Sequence, residues 1–215
     1  SGNQGVVLGG KRLEVCRLAA AFNRNEEAFD FLKAQLRRLC PAPKLADHPI
    51  YGGNNWYYAY GRSSQEKILS DSAFIAQMSE GLENKPYMVI DDGWQLVSGG
   101  GLAIGGPWVG NRLFPDMEGL AGEMKRLGVR PGIWMRPLMT SEQMPKACVR
   151  TMMDGASILD PTHPATLEYV SEAMRRIVGW GYELIKHDYS TYDVYQCWGF
   201  GNRGWRMNRM DKPLH

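Results

Sequence analysis

The stretch that decides the fold is residues 181–190, GYELIKHDYS, where a short apolar run ends in charged side chains. Residues 183–185 are too few for another helix after the helical pattern that precedes them, so they predict a buried strand. That strand brings Lys186, His187 and Asp188 to its carboxyl end, where charged groups need a partner, a ligand or water. In a barrel of parallel strands, chemistry is placed at this end. A purely structural pairing of Lys186 with Asp188 is the alternative that this stretch leaves open.

Three more strand-like runs precede this one, and helical patterns separate all four. The runs cover residues 50–57, 87–90 and 129–135, and the helices cover 63–78, 117–127 and 164–177. Ser63 and Glu66 have the spacing of a capping box, and Asp116 can cap the second helix, which Gly128 stops. Residues 136–161 are predicted to form a loop.

This alternation of strands and helices predicts an α/β fold with a parallel sheet and helical crossovers. An open dinucleotide-binding sheet would carry a glycine fingerprint at its first strand–helix turn. The glycines at 52–53 do not fit that fingerprint, and those at 99–106 precede no helix directly. A (β/α) barrel is therefore favoured, and the glycine-rich stretch 98–110 is interpreted as a surface loop.

The first 49 residues show a different pattern. Residues 11–22 predict a strand, and Asn25 can cap a helix that carries apolar residues at helical spacing from Phe29 to Leu39. Three prolines make residues 41–49 a stiff linker. The segment is too small to be a domain of its own.

Composition excludes several classes of function. The chain has 215 residues, 44% apolar and 22% charged, with a net charge of +2, so neither nucleic acid nor a membrane is expected as a partner. No apolar run is long enough to cross a bilayer, and the first residues do not resemble a signal peptide. The four cysteines show no metal-binding spacing, and we expect free, buried thiols without a function. A soluble protein, intracellular rather than secreted, is the expectation.

Two strand ends carry the candidate chemistry. Asp91 and Asp92 end one strand, and Lys186 and Asp188 end another, so in a barrel these four groups would converge over one mouth. They suggest a polar, multiply hydroxylated ligand held by charge-assisted hydrogen bonds. Apolar walls for a sugar ring could come from three tryptophans near strand ends, Trp56, Trp94 and Trp134. The alternatives are a plain Asp-Gly turn at the first strand end and core packing for at least one tryptophan.

Five motifs give the chain a more specific resemblance. They are residues 51–57 (YGGNNWY), 90–95 (IDDGWQ), 110–115 (GNRLFP), 131–134 (PGIW) and 185–188 (IKHD). Their order resembles that of the family 36 glycoside hydrolases, the α-galactosidases or melibiases, and more distantly family 27, over roughly residues 47–200. The resemblance implies a (β/α)₈ TIM-type barrel behind an amino-terminal β-sandwich. Residues 1–46 would be the end of the sandwich domain with a connecting helix and linker, and residues 47–215 the first half of the barrel, about four β/α units.

The resemblance also implies roles for individual residues. Asp188, in a Lys-x-Asp motif, resembles the catalytic nucleophile, and Lys186 resembles the residue that hydrogen-bonds the sugar hydroxyls. Asp91 and Asp92 resemble the pair that grips the 4- and 6-hydroxyls of galactose. A lysine next to Asp188 would stabilise the ionised carboxylate that attacks the anomeric carbon. No metal or organic cofactor is implied, and the partner is an α-galactoside oligosaccharide.

A retaining glycosidase needs a second carboxyl group as acid/base, about 5–5.5 Å from the nucleophile. In the family that residue comes from a later strand. Asp193 and Asp211 are the only carboxylates that follow Asp188, and neither lies on a strand-like run, so the sequence nominates neither. We therefore expect the acid/base to lie beyond this chain and the 215 residues alone to be inactive or nearly so.

The activity that the resemblance implies is the hydrolysis of terminal α-linked galactose. An α-N-acetylgalactosaminidase, a galactosyl transferase of the raffinose-synthase type and a non-catalytic carbohydrate-binding fragment stay open as alternatives. Half a barrel would also leave two unpaired sheet edges, at residues 50–57 and at the strand before Asp188. For the isolated chain we therefore expect a homo-oligomer or aggregation.

Overall fold

A computed structural model describes residues 9–10, 12, 14, 16–24, 27–96 and 104–195, without the side chain of Tyr195. The chain divides into two compact units, Leu8–Pro49 and a larger one that contains Ile50–His215. The helices are α1 Ala28–Leu39, α2 Trp56–Ala59, α3 Gln65–Met78, α4 Met117–Leu127, α5 Pro164–Gly179 and α6 Ser190–Tyr195. The strands are β1 Gly52–Asn54, β2 Tyr87–Ile90, β3 Arg130–Met135, β4 Met139–Thr140, β5 Val149–Met153, β6 Ala156–Leu159 and β7 Leu184–His187.

The described part of the smaller unit contains one helix, α1, at the place that the spacing predicts. None of the residues of α1 is buried, and its apolar side chains at helical spacing are exposed, namely Phe29, Leu32, Leu36 and Leu39. The strand predicted at 11–22 is wrong for the residues that are described there, which have no regular structure. A strand needs a neighbour to pair with, and the described part of this unit offers none. Residues 11, 13, 15 and the proposed cap Asn25 lie outside the described residues.

Four parallel strands form the main sheet of the larger unit, in the order β1-β2-β3-β7. Each pair of neighbours is parallel, and a crossover containing α3, α4 or α5 joins each strand to the next. The predicted parallel sheet is therefore present, with β1 and β7 at the edges of the described sheet. In register, Trp134 of β3 lies beside Lys186 of β7, so the strands deliver the predicted site residues to a common end. The closed barrel stays a prediction.

Helix α4 shows how the sequence specifies these elements. The Asp116 side chain accepts a hydrogen bond from the backbone N–H of Gly119 at 2.8 Å, as an N-cap should. Its buried residues, Met117, Leu120, Ala121 and Met124, follow helical spacing and face the core. For α3 the predicted cap is wrong by one residue, because Ser64 rather than Ser63 accepts the hydrogen bond from Lys67 N.

The core lies between the sheet and its crossover helices. It is rich in large side chains, including three fully buried tryptophans. The buried members of this cluster are Ile68, Met88, Ile90, Trp94, Ile104, Trp108, Phe114, Met117, Leu120, Ala121, Met124, Val129, Ile133, Trp134, Met135, Ala173, Ile177 and Tyr182.

Residues 136–161, predicted to be a loop, instead contain a small antiparallel sheet in the order β4-β6-β5. The pattern failed there because β4 has only two residues and the register of β5 shifts between Val149 and Thr151, which breaks the alternation. Asp154 and Gly155 form the two-residue hairpin turn, both with positive φ. That Asp-Gly pair is the sequence signal that predicts the hairpin.

The described cysteines are free, but only Cys148 is buried; Cys16 and Cys40 are exposed because they lie in the smaller unit, whose helix buries no residue. Cys197 lies outside the described residues. Among the residues that the structure covers, no helix combines the length and the apolarity that crossing a bilayer requires.

Candidate functional site

A cavity at the carboxyl ends of the main strands holds most of the predicted site. Trp56, Asp91, Asp92, Trp134, Lys186 and Asp188 line it together with Ile104 and Tyr189. Trp94 is the one predicted residue that does not line this cavity. The strand order explains the convergence, because β1, β2, β3 and β7 are neighbours and point the same way.

Asp91 is the most heavily hydrogen-bonded carboxylate of the cavity. Its Oδ2 accepts from Lys186 Nζ at 2.5 Å and from Asn54 Nδ2 at 2.6 Å, and its Oδ1 accepts from the N–H of Asp92 at 2.9 Å. Its own N–H donates to Asn55 Oδ1 at 2.7 Å. The sequence argument placed the ammonium of Lys186 next to Asp188, but its ion pair is with Asp91. Asp91 and Lys186 therefore form an ion pair that lines the cavity.

Asp92 is held by its own local turn. Its Oδ1 accepts from Gln95 Nε2 at 2.5 Å, while Gln95 Oε1 accepts from the N–H of Gly93 at 3.1 Å. Burial raises the pKa of Asp92, Gln95 opposes the rise, and the charge of Asp91 adds to it. Gly93 has φ +116°, and a Cβ there would lie 2.5 Å from Gly61 O, so only glycine fits. The Asp-Gly turn that was the alternative to a binding site is therefore present, and the carboxyl groups of Asp91 and Asp92 both line the cavity.

Asp188 is fixed through both carboxylate oxygens. Trp134 Nε1 donates to Oδ2 at 2.9 Å, and the N–H of Tyr189 donates to Oδ1 at 2.8 Å. The Asp188 N–H donates to Met135 O at 3.0 Å, which extends the β3–β7 ladder by one residue. The arrangement presents an oriented carboxylate to the cavity, as a nucleophile or a hydrogen-bond acceptor requires.

The aromatic residues divide between the cavity and the core. Trp56 lines the cavity, and Asn54 places it by accepting the Trp56 N–H at 2.9 Å. Trp94 is fully buried, and its Nε1 donates to Trp134 O at 2.8 Å. Its ring packs near Trp108 and Trp180, with centroids 6.0 and 6.3 Å away. Core packing, the alternative left open for at least one tryptophan, describes Trp94.

Sequence reasoning missed three residues of this site. Asn54 holds both Asp91 and Trp56, and two consecutive asparagines at a strand end were the available signal. Tyr189 contributes its N–H to Asp188 and has φ +63°, which is uncommon for a bulky residue. Ile104 follows the stretch 97–103, which lies outside the described residues, and no pattern pointed to it.

Asp193 does not line the cavity. Its carboxylate binds Arg136, with Nε to Oδ2 at 2.9 Å and Nη2 to Oδ1 at 2.5 Å, and both side chains have no exposed surface. Burial raises the pKa of Asp193, and the guanidinium of Arg136 opposes that rise. Asp193 is thus occupied by a structural partner, and Asp211 lies outside the described residues.

Comparison with known proteins finds α-galactosidases both by sequence and by structure. No protein-family model matches the chain. The curated α-galactosidase AgaA of Geobacillus stearothermophilus is 27% identical over 139 residues, which cover 58% of this chain and 18% of that protein. The crystal structure of the same GH36 enzyme matches with a TM-score of 0.55 and 25% identity, over 66% of this chain and 21% of that one.

A second solved structure has the same fold. The α-galactosidase TtGalA of Thermus thermophilus, in complex with p-nitrophenyl α-D-galactopyranoside, matches with a TM-score of 0.55 and 24% identity, over 70% of this chain and 33% of that one. The chain thus spans between 18% and 33% of the length of these relatives. Over that part it is similar to the GH36 α-galactosidases in sequence and in fold.

Proposed function

We propose that the protein containing this chain is a retaining α-galactosidase, which hydrolyses terminal α-linked galactose through a covalent galactosyl–Asp188 intermediate. The observation that carries the proposal is the cavity in which Asp91, Asp92, Lys186 and Asp188 meet at the ends of neighbouring parallel strands. The similarity to GH36 α-galactosidases supports it independently. The relatives are longer, so the proposal concerns the complete protein.

Substrate recognition follows from the charged residues on one side of the cavity. Asp91, Asp92 and Lys186 offer acceptors and a donor to sugar hydroxyls, and such charge-assisted hydrogen bonds are strong. A site built to bind a particular hydroxyl discriminates against a sugar that lacks it, because the buried carboxylate is then left without that partner. We assign the 4- and 6-hydroxyls of galactose to Asp91 and Asp92, with Trp56 and Trp134 as walls for the ring.

The reaction would begin with attack by Asp188. One carboxylate oxygen forms a bond to the anomeric carbon as the glycosidic C–O bond breaks, and a general acid gives the leaving oxygen its proton. Water, deprotonated by the same acid/base residue, then attacks the anomeric carbon and releases galactose with its configuration retained. The hydrogen bonds from Trp134 and Tyr189 keep Asp188 oriented for the first step.

The acid/base is proposed to follow residue 215 in the complete protein. Asp193 is occupied by Arg136, which argues against it as the second carboxyl group. This chain spans only 18–33% of the length of these relatives, and half of a barrel would leave later strands to supply the residue. We therefore expect the 215-residue chain alone to turn over melibiose very slowly or not at all.

A panel of p-nitrophenyl glycosides tests the proposal on the complete protein. We expect hydrolysis of the α-galactoside, with α-galactose as the first product seen by NMR. Hydrolysis of the α-N-acetylgalactosaminide without the α-galactoside would replace this proposal by the sister activity. Transfer of galactose to sucrose in preference to water would indicate a transferase. Binding of galactose without any turnover would indicate a carbohydrate-binding protein.

A further inference from the structure

A second charged pair lies next to the cavity without lining it. Arg136 follows β3 directly, and Asp193 lies on α6, the short helix after β7. Their side chains are fully buried and form a bidentate pair, with two hydrogen bonds from the planar guanidinium to the two carboxylate oxygens. The proposed reaction uses neither residue.

The pair is joined to Tyr189 in two ways. The guanidinium carbon of Arg136 lies 4.2 Å from the centre of the Tyr189 ring, and the N–H of Asp193 donates to Tyr189 O at 2.8 Å. Tyr189 adopts φ +63°, in the left-handed region that a bulky residue keeps only when its surroundings hold it there. The guanidinium of Arg136, itself fixed by the Asp193 carboxylate, contacts the ring of Tyr189. The second contact comes from the main chain of Asp193 and does not depend on its carboxylate.

Tyr189 in turn orients the carboxylate of Asp188. Its N–H donates to Asp188 Oδ1 at 2.8 Å, and the direction of that N–H depends on the backbone conformation at Tyr189. The other oxygen of Asp188 is held by Trp134 of β3, two residues before Arg136 in the chain. A series of contacts therefore runs from the Asp193 carboxylate through the guanidinium of Arg136 and the ring of Tyr189 to the carboxylate of Asp188.

We propose that Arg136 and Asp193 form a positioning pair, which holds Tyr189 in its left-handed conformation and thereby sets the orientation of the Asp188 carboxylate. A buried ion pair commonly gives no more stability than a well-packed apolar pair of similar volume. The specific contribution of this pair is therefore directional. Its catalytic consequence rests on the proposed function, whereas its effect on the geometry of Asp188 does not.

The test must separate positioning from stability. Arg136→Met alone leaves Asp193 buried without its guanidinium and could unfold the protein, so the informative variant is Arg136→Met/Asp193→Leu, which fills the space with apolar groups. The matched control is Arg175→Met, which removes the same group from an exposed ion pair with Glu168.

The first readout is the indole N–H resonance of Trp134, assigned with Trp134→Phe in tryptophan-labelled protein. This N–H donates to Asp188, so Asp188→Ala gives the reference for a lost hydrogen bond. In the double variant we expect the resonance to move toward that reference, while Arg175→Met leaves it in place. A double variant that is folded and has the wild-type resonance would overturn the proposal.

The second readout is inactivation of the complete protein by a 2-deoxy-2-fluoro-α-galactoside. We expect the inactivation rate constant to fall at least tenfold in the double variant, with the binding constant changed less than threefold. Equal rate constants in the double variant and the wild type would contradict the catalytic part of the proposal. If the wild type itself is neither inactivated nor active on galactosides, the proposed function fails, and the Trp134 resonance still decides the positioning role.

Discussion

Two ion pairs near the carboxyl ends of the main strands, Lys186–Asp91 and Arg136–Asp193, differ in what they can do. Lys186–Asp91 faces the cavity, and the lysine side chain is 39% exposed, so a ligand can reach it. Arg136–Asp193 has no exposed surface and contacts only protein. The ammonium of Lys186 can donate to a hydroxyl group as well as to Asp91. The planar guanidinium of Arg136 instead donates to both carboxylate oxygens of Asp193. Exposure and donor geometry, more than charge, separate the pair that a ligand can reach from the enclosed pair.

The largest effect should follow from changing Asp188, the proposed nucleophile. Asp188→Asn removes the carboxylate that we propose as nucleophile and preserves its shape, so kcat of the complete protein on p-nitrophenyl α-galactoside should fall by about 10⁴-fold or more. Galactose affinity, measured by calorimetry, should change by less than about tenfold, since the substitution adds no bulk. An Asn variant with substantial turnover, checked for reversion by mass spectrometry, would remove Asp188 from the mechanism.

Removing one partner of the buried pair should lower stability. Arg136→Met leaves a buried carboxylate without its guanidinium, and we expect it to lower the free energy of unfolding by about 3–5 kcal/mol. The control Arg175→Met should cost less than about 0.5 kcal/mol, because its ion pair is exposed. Urea titrations measure both. Equal losses in the two variants would show that burial does not distinguish these pairs.

Breaking the Lys186–Asp91 pair should affect ligand binding as well as stability. Lys186→Met removes a half-exposed ammonium from the buried carboxylate of Asp91, which keeps its hydrogen bonds from Asn54 and Asp92. The free energy of unfolding should therefore fall by less than in Arg136→Met, by about 1–3 kcal/mol. Galactose binding should weaken by about 10- to 100-fold, because a charge-assisted hydrogen bond to the sugar is lost. A variant that binds galactose as tightly as the wild type but unfolds easily would place Lys186 in the structural class.

The smallest effect concerns pH. Because burial raises the pKa of Asp92, the folded state binds more protons at this residue than the unfolded state does. Its contribution to stability is therefore present at acidic pH and is lost as the pH rises from the ordinary aspartate range through the raised pKa of the folded state. Unfolding of wild type and Asp92→Asn at pH 4 and 7 should show the wild type losing stability relative to the variant. No difference between the two pH values would contradict a raised pKa.

Asp92 also senses the charge of the buried Arg136–Asp193 pair. The charge of Arg136 lowers the pKa of Asp92 against the effect of burial. In the Arg136→Met/Asp193→Leu variant, the pH at which Asp92 titrates should therefore rise further, as followed by carbon-labelled aspartate NMR. An unchanged or lower value would show that the two regions are electrostatically independent.

Much of the fold could be predicted because its signals are local. The strand Tyr87–Ile90 and helix α4 with its Asp116 cap can each be recognised from a stretch of about fifteen residues. The hairpin of β5 and β6 was missed because a bulge hides its alternation, although its Asp-Gly turn was visible. Local patterns identify elements, and irregular strands escape them.

The partners of the site residues could not be predicted, because they are set by strand register. The sequence showed that Asp91, Asp92, Lys186 and Asp188 end two strands, but not which carboxylate the lysine meets. The observed contact joins residues 95 apart. Arg136 and Asp193 are 57 apart and lie on no recognisable motif, so their pairing appears only when β3 and β7 become neighbours.

The central claim is that Asp188 is the nucleophile of a galactosidase, and covalent labelling tests it most directly. The complete protein is incubated with a 2-deoxy-2-fluoro-α-galactoside carrying a good leaving group, digested and analysed by mass spectrometry. The account predicts a fluorogalactosyl adduct on the peptide that contains Asp188, and no adduct on that peptide in Asp188→Asn. An adduct on a different carboxylate would contradict the account.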